Sequence, residues 1–216
     1  MNVPPVGARI REERRKRGLS LRALARAVGV SASLISQIET GKSLPSVSTL
    51  YAITQALEIS VEDVFDAAET AEAAPAAVTV VPAAPAGAVA EALRPPAPGT
   101  GPLVRPGERE VLELESGVTW ERLGHVPGTD VDFLLVTYAP GGSSSGTGKL
   151  MRHGGVEHGY LIEGELTLTL GFDTYSLEPG DAVSFPSVTP HRYRNEGDVP
   201  AVGVWFVHET ETSWPR

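Results

Sequence analysis

Residues 19–57 read LSLRALARAVGVSASLISQIETGKSLPSVSTLYAITQAL, a series of short helical patterns separated by polar breaks. In Leu21–Val28 the apolar side chains follow the i, i+3, i+4, i+7 spacing of one helix face, and Ser20 precedes it as an N-cap. Gly29 ends this helix, and Ser31 caps the next one. Extended to both sides, the same signals predict five short helices in residues 1–66: Val6–Arg17, Leu21–Val28, a helix from Ser31 to Gly41, Pro45–Leu57 and Val61–Phe65.

The second and third predicted helices are joined by a short turn that contains a glycine. Two helices connected in this way form a helix-turn-helix, whose second helix enters the major groove of DNA. The stretch resembles the phage-repressor-like (XRE) helix-turn-helix family, most specifically in the pattern GVSxSxISQIExGKxxPS over residues 29–46. The resemblance covers residues 6–66. It implies an all-α DNA-binding domain that acts as a dimer on a palindromic operator, with half-sites about 34 Å apart.

The resemblance also assigns DNA-contacting residues. Four residues at the front of the third helix are implied to face base edges: Ala32, Ser33, Ser36 and Gln37. Gln37 is the main candidate, because its amide can pair with both N6 and N7 of adenine. Three residues on the flanks are implied to hold phosphates, which set register rather than sequence: Arg22, Lys42 and Ser43. Glu39 matches the family's buried structural acid and is not expected to contact bases.

The charge of the chain is unevenly distributed. The formal net charge is −9, but residues 1–57 hold nine basic side chains against three acidic ones. This part therefore has a net charge of about +6, and the remainder of the chain has a net charge of about −15. A basic front on an acidic body is typical of a protein with one DNA-facing end. For Arg9–Arg17 alone, a solvated basic helix is the alternative interpretation.

Two further zones follow the helical one. Of the 36 residues in 67–102, 14 are Ala, seven are Pro and three are Gly, a composition that predicts a linker with at most a short strand at Val78–Val81. Residues 103–216 show short β-patterns at regular spacing, which predict an all-β sandwich or barrel. The nine predicted strands are Glu110–Leu114, Val118–Leu123, Val131–Tyr138, Val156–Ile162, Glu165–Leu170, Asp173–Leu177, Ala182–Phe185, His191–Arg194 and Val202–Val207.

Two motifs stand out in the β-rich zone: MRHGGVEHGYLIEG at residues 151–164 and GDAVSFPSVTPHRYRN at residues 180–195. Together they resemble the two sequence blocks of the cupin superfamily, and the order of the two parts resembles cupin-containing XRE regulators over nearly the whole chain. The resemblance implies a double-stranded β-helix (jelly-roll) barrel that binds a small-molecule effector.

Metal-binding cupins place His-x-His, a Glu about four residues later and a distant His in one barrel. By this resemblance His153, Glu157 and His191 match the second His, the Glu and the last His, whereas Met151 stands where the first His should be. Two imidazoles and a carboxylate suit Zn, Fe, Ni or Mn, but a thioether is a poor ligand for hard divalent ions. A divalent metal in the barrel and a metal-free pocket for an organic ligand therefore remain alternatives.

Strand parity extends the list of lining residues, because alternate side chains share one face. Tyr193 has the parity of His191, and Leu161 that of Glu157, so both are expected to line the cavity with Met151. Three apolar residues are expected to close the interior: Phe185, Trp205 and Val207. Three neighbours are expected on the outer face: Arg152, Tyr160 and Ile162. The glycine-rich loop Gly141–Gly148 is expected to be a mobile lip near the mouth of the barrel.

The remaining sequence features bear on the cellular location and the function of the protein. The chain has no cysteine, its N-terminus lacks the apolar run of a signal peptide, and no stretch approaches the roughly 18 apolar residues of a membrane span, so a soluble cytoplasmic protein is expected. We expect a homodimeric regulator, a repressor, whose affinity for DNA depends on the effector. The alternative is a DNA-tethered, metal-dependent cupin enzyme, an oxygenase or isomerase, and Met151 counts against it.

Overall fold

The computed structural model describes residues 6–65, 103–126, 129 and 131–208. The predicted linker at 67–102, including the strand suggested at Val78–Val81, lies outside the described residues. None of the helices in the described ranges combines the length and the hydropathy that a membrane span requires.

The N-terminal part is helical, as predicted. Its five helices are α1 (Val6–Lys16), α2 (Leu21–Val28), α3 (Ala32–Glu39), α4 (Val47–Leu57) and α5 (Glu62–Phe65). Serine caps begin three of them, because the hydroxyls of Ser20, Ser31 and Ser46 each accept a hydrogen bond from the backbone N–H three residues later. The side chains that fill the core are fully buried: Ile10, Leu24, Ile35, Leu50, Ile53 and Leu57.

A buried ion pair joins the first and third helices. The Arg14 guanidinium donates from Nε to Glu39 Oε1 at 2.5 Å and from Nη2 to Glu39 Oε2 at 2.8 Å. Its third nitrogen donates to the Leu19 carbonyl at 2.8 Å. The structure thus places Glu39 in a buried, bidentate pair and not on the outer surface of the helix.

The C-terminal part contains nine strands in the described residues, after a short 3₁₀ turn at Pro106–Glu108. They are β1 (Val111–Leu114), β2 (Val118–Gly124), β3 (Val131–Tyr138), β4 (Val156–Glu163), β5 (Leu166–Leu170), β6 (Asp173–Leu177), β7 (Ala182–Pro186), β8 (His191–Arg194) and β9 (Ala201–His208). One sheet has the order β1-β2-β3-β9-β4-β7 and the other β6-β5-β8, and every pairing is antiparallel.

Burial alternates along the long strands, so each sheet has an inner and an outer face. In β9, Ala201, Gly203, Trp205 and Val207 are buried and the residues between them are partly or fully exposed. Isolated bridges pair Met151 with His191 and Ser143 with Arg194, next to the β8 edge of the small sheet. The buried residues of the second cupin-like motif include Phe185, His191 and Tyr193.

The helical and β-rich parts are in direct contact. Ser48 N, in the first turn of α4, donates to the Ser144 carbonyl at 3.0 Å, and Glu115 N donates to the Pro45 carbonyl at 2.9 Å. The Tyr51 and Trp120 rings meet edge to face at 5.8 Å between centroids. The sequence suggested two separate units, but here α4 packs against the β-rich part.

The glycine-rich segment Gly141–Gly148 differs from its prediction as a mobile lip. Ser143, Ser144 and Ser145 are buried. Ser144 N donates to the Tyr193 carbonyl at 3.0 Å, and the Ser144 hydroxyl accepts from Tyr193 N at 3.1 Å. The serines are thus structural, because their hydroxyls and backbone complete the hydrogen bonding of β8 and support α4.

Candidate functional site

The residues predicted to contact DNA lie on the surface of the helical part. Ser33, Gln37, Arg22 and Lys42 are exposed, whereas Ala32, Ser36 and Ser43 are half-buried. Thr40 and Gly41 end α3, and the backbone N–H groups of Lys42 and Ser43 donate to the Gln37 carbonyl at 2.8 and 3.3 Å. Lys42 and Ser43 are therefore held at the C-terminal end of the same helix that presents Gln37.

Much of the basic charge on α1 is neutralised within the helix. Arg9, Lys16 and Arg17 form ion pairs with Glu12 or Glu13, and Arg14 is buried against Glu39. The salt bridges recorded for the described residues do not include the exposed Arg22, Arg26 and Lys42. Arg11 and Arg15 on α1 are exposed and outside these ion pairs as well, so the cations available to phosphates among the described residues lie on α1, on α2 and just after α3.

The three residues matched to metal ligands come together inside the β-rich part. His153 precedes β4, Glu157 is the second residue of β4, and His191 is the first residue of β8. All three are at most 4% exposed. Glu157 Oε2 lies 3.3 Å from His153 Nε2 and 3.5 Å from His191 Nε2. We call these three residues the triad.

The hydrogen bonds of the two imidazoles identify which nitrogen points to the centre of the triad. His153 Nδ1 lies 3.1 Å from the Gly154 carbonyl, and His191 Nδ1 lies 2.8 Å from the Thr189 carbonyl. A carbonyl can only accept, so each Nδ1 carries the hydrogen, and in the neutral ring Nε2 is a bare lone pair. Neither Nε2 has a hydrogen-bond partner among the described residues. Three acceptors therefore face one another in a buried space.

This arrangement fits a divalent cation. The three ligand atoms lie within 4.8 Å of one another. Ligands around a tetrahedral ion with bonds of about 2.1 Å are about 3.4 Å apart, close to the two separations from Glu157 Oε2. Imidazoles oriented through Nδ1 by backbone carbonyls are typical of metal sites. The triad can thus bind a metal, with His153, Glu157 and His191 as its ligands.

The protonation states suit the same role. Burial alone would raise the pKa of Glu157, but a hydrogen bond from His153 and the positive charge that His191 and His153 carry when protonated outweigh it, and the net effect lowers the pKa. Burial lowers the pKa of His191, although the Glu157 charge opposes this shift. The two shifts favour a charged carboxylate and a neutral His191 ring, the forms in which both groups bind metals.

Trp205 positions the Glu157 carboxylate, a role that the sequence analysis missed by assigning Trp205 only to the apolar interior. Its Nε1 donates to Glu157 Oε1 at 3.1 Å, which leaves Oε2 for the two imidazoles. The indole fits because two of its neighbours are glycines: a Cβ on Gly203 would lie 2.5 Å from the ring, and one on Gly159 2.9 Å. A buried indole N–H requires an acceptor, and this was the available sequence signal.

The other predicted lining residues are buried around the triad. Met151, Leu161 and Tyr193 are each at most 8% exposed, as are Phe185 and Val207. Burial raises the pKa of the Tyr193 hydroxyl well above its usual range, so the group stays neutral. The residues predicted to face outward do so, since Arg152, Tyr160 and Ile162 are exposed. His158 is exposed too and pairs with Ser184 at 2.8 Å.

The helical part contributes a residue that the sequence analysis did not consider. The Tyr51 ring on α4 stacks on the His153 imidazole, with centroids 3.9 Å apart and planes 2° from parallel. No local pattern signals this contact, because the residues are 102 positions apart in sequence.

Comparisons with known proteins agree with both parts of the structure. Residues 10–64 match the family described as "Helix-turn-helix", and residues 134–207 match the family described as "Cupin domain". The HTH-type transcriptional regulator PuuR of Escherichia coli K12 is 27% identical over 191 residues, which cover 88% of this chain and 86% of PuuR. SutR, another HTH-type transcriptional regulator of that organism, is 25% identical over 189 residues with the same coverage.

A solved structure shows the same fold. The HTH_3 family transcriptional regulator from Vibrio cholerae superposes with a TM-score of 0.63 at 21% identity, covering 96% of this chain and 97% of its own. Both domain matches and the order of the domains agree with the motifs in the sequence. The chain thus has an N-terminal XRE-type helix-turn-helix domain and a C-terminal cupin domain, and the relatives that align with most of its length are HTH-type transcriptional regulators.

Proposed function

We propose that this protein binds an operator through α3 and that the occupant of the triad changes its affinity for that operator. The observation that carries the proposal is the pair of unpartnered imidazole nitrogens, His153 Nε2 and His191 Nε2, which face the Glu157 carboxylate in a buried space beside a DNA-binding domain. Such a set is stabilised by a cation or by a ligand that donates hydrogen bonds. A divalent cation, alone or holding an organic effector, is the occupant that we propose.

The DNA-binding half of the proposal assigns different tasks to Gln37 and Lys42. Both are exposed, and Lys42 lies three residues after the end of α3. Gln37 reads a base, whereas Lys42, together with Arg22, holds the backbone. Occlusion of a promoter by the bound protein is the simplest output, which makes the protein a repressor.

We propose that the protein works as a homodimer through the outer face of the large sheet. Phe133 and Phe206 are neighbours on β3 and β9, with ring centroids 6.4 Å apart, and both are exposed. Tyr160 and Ile162 on β4 continue the exposed apolar surface. A patch of this kind favours association, and a second copy would supply the second helix-turn-helix that a palindromic operator requires.

We do not extend the proposal to catalysis. Relatives that align over most of the chain are named transcriptional regulators. Met151 stands where metal-dependent cupins have one of their imidazoles; it is buried, and its backbone forms a β-bridge with His191. A sensory site needs only to bind its metal or ligand selectively, and the three ligand groups of the triad suffice for that.

Gln37→Ala tests the DNA-reading half. An operator is first selected from random duplexes with the full-length wild-type protein. The variant is expected to lose about 1–3 kcal/mol of binding free energy for this operator and almost nothing for unrelated DNA, because the amide pairs with one base. Lys42→Ala is the matched control: it should weaken binding to both kinds of DNA and reduce the salt dependence. Fluorescence anisotropy measures the six affinities of the wild type and the two variants, and equal losses for Gln37→Ala on the two kinds of DNA would refute its assigned role.

A further inference from the structure

The helix α4 is in direct, buried contact with the triad through the Tyr51 ring. Tyr51 and His153 are each about 95% buried, and their rings stack almost in parallel at 3.9 Å. The Nε2 edge of the same imidazole lies 3.3 Å from the Glu157 carboxylate. A side chain of the DNA-binding domain therefore packs on the ring of one of the three candidate metal ligands.

The position of α4 over the triad is defined by its backbone as well as by Tyr51. The segment Pro45–Ser48 exchanges two backbone hydrogen bonds with Ser144 and Glu115 of the cupin domain. Tyr51 itself is held from the side by the Trp120 ring. At the other end of the helical domain, the Arg122 guanidinium lies 5.4 Å from the centroid of the Phe65 ring.

A cleft between the domains leads to the same place. It has a volume of about 420 Å³ and is lined by Thr54, Gln55 and Glu58 on the helical side and by His153 and Gly154 on the cupin side. Tyr51 lies at the boundary between this cleft and the triad. The route from solvent to the outer edge of His153 therefore passes along α4.

The recognition helix α3 and the helix α4 both pack against α2. The side chains of Ile35 and Ile38 on α3 and of Leu50 and Ile53 on α4 are buried in one core, and only residues 40–46 separate the two helices. Packed helices move as units by about 1–2 Å when one of their contacts changes. Because α2 contacts both α4 and α3, a shift of α4 can reach the recognition helix through the core that these helices share.

We propose that Tyr51 is part of the ligand site: the DNA-binding domain supplies the wall that positions His153, and through this ring contact an ion in the triad and DNA on α3 influence each other. The proposal rests on the proposed function, both for the cation in the triad and for the operator on α3. Because binding linkage is reciprocal, an ion that changes operator affinity must itself be bound more tightly or more loosely when the operator is present. Tyr51 is a positioning residue that acts through His153.

The test compares the full-length wild type with Tyr51→Leu, which keeps apolar bulk without a ring, and Tyr51→Phe, which keeps the ring. Tyr175→Ala, an exposed tyrosine on β6, is the matched control. Co²⁺ affinity is measured from its visible absorption bands, and folding is checked by circular dichroism. Loss of a group that orients a metal ligand costs about 10–100-fold in affinity, so we expect this loss for Tyr51→Leu and near wild-type affinity for Tyr51→Phe and Tyr175→Ala.

The same samples are then titrated with and without the selected operator. The wild type should show a shift in Co²⁺ affinity on adding the operator, and Tyr51→Leu should lose most of that shift. Wild-type Co²⁺ affinity and spectrum in Tyr51→Leu would overturn the proposal, as would a wild type that binds no Co²⁺. If Tyr51→Leu binds Co²⁺ weakly but the operator shifts nothing in the wild type, Tyr51 belongs to the site and the proposed regulation by the ion fails.

Discussion

Glu39→Ala is expected to lower the free energy of unfolding of the helical domain by about 3–5 kcal/mol, the usual cost of leaving one buried charge without its partner. The Arg14 guanidinium makes two hydrogen bonds to the Glu39 carboxylate, and both side chains are almost fully removed from solvent. Without the carboxylate, Nε and Nη2 of Arg14 keep their charge in a buried environment. Because the pair connects α1 to α3, its loss also removes a contact that holds the recognition helix against α1.

Urea denaturation followed by the helical circular dichroism signal measures this effect. Glu12→Ala is the matched control, since Glu12 is an exposed acid on α1 whose ion pairs with Arg9 and Lys16 lie at the surface. Exposed pairs contribute between 0 and about 1 kcal/mol. Similar losses of stability in the two variants would contradict the structural role assigned to Glu39.

Glu157→Gln is expected to weaken Co²⁺ binding by more than about 100-fold. The amide has almost the shape of the carboxylate and can still accept from Trp205 Nε1, but it removes the only anionic donor of the triad. Loss of an outer hydrogen-bond partner already costs about 10–100-fold, so loss of a ligand should cost more.

The neighbouring residue provides the control for this prediction. His158 is the next residue on β4, faces outward and pairs with Ser184. His158→Gln changes a potential metal ligand of the same strand without touching the triad, and it should bind Co²⁺ like the wild type. Titrations followed by Co²⁺ absorption at neutral pH measure both variants. A Glu157→Gln protein with unchanged affinity would show that the ion binds elsewhere.

The secondary structure was predictable because the signals that define it are local. Leu21–Val28, Val131–Tyr138, Asp173–Leu177 and His191–Arg194 have the same bounds in the sequence analysis and in the structure. Serine caps, glycine ends and alternating polarity act within a few residues, and each is visible in the chain. Strand parity likewise predicted that Leu161 and Tyr193 are buried and that Tyr160 is exposed.

The contacts between distant elements were not predictable in this way. Tyr51 appears in the sequence as an ordinary apolar position of a helix, and nothing near it identifies His153 as its partner. The serines of Gly141–Gly148 suggested a flexible loop. Composition does not reveal that the backbone N–H groups of Tyr193 and Ser48 donate hydrogen bonds to the hydroxyl and the carbonyl of Ser144. Similarly, a buried Trp205 implies that its N–H has some acceptor, but the sequence does not identify Glu157 as that acceptor.

The central claim is that occupancy of the triad changes the affinity of α3 for DNA. It is tested most directly by measuring the dissociation constant of the selected operator with and without saturating Co²⁺, for the wild type and for His191→Ala. Allosteric coupling of the usual strength predicts a change of about 5–150-fold in the wild type and almost none in the variant, whose triad has lost one of its two imidazoles. A wild type with the same operator affinity in both conditions, or a variant that responds as strongly, would contradict the claim.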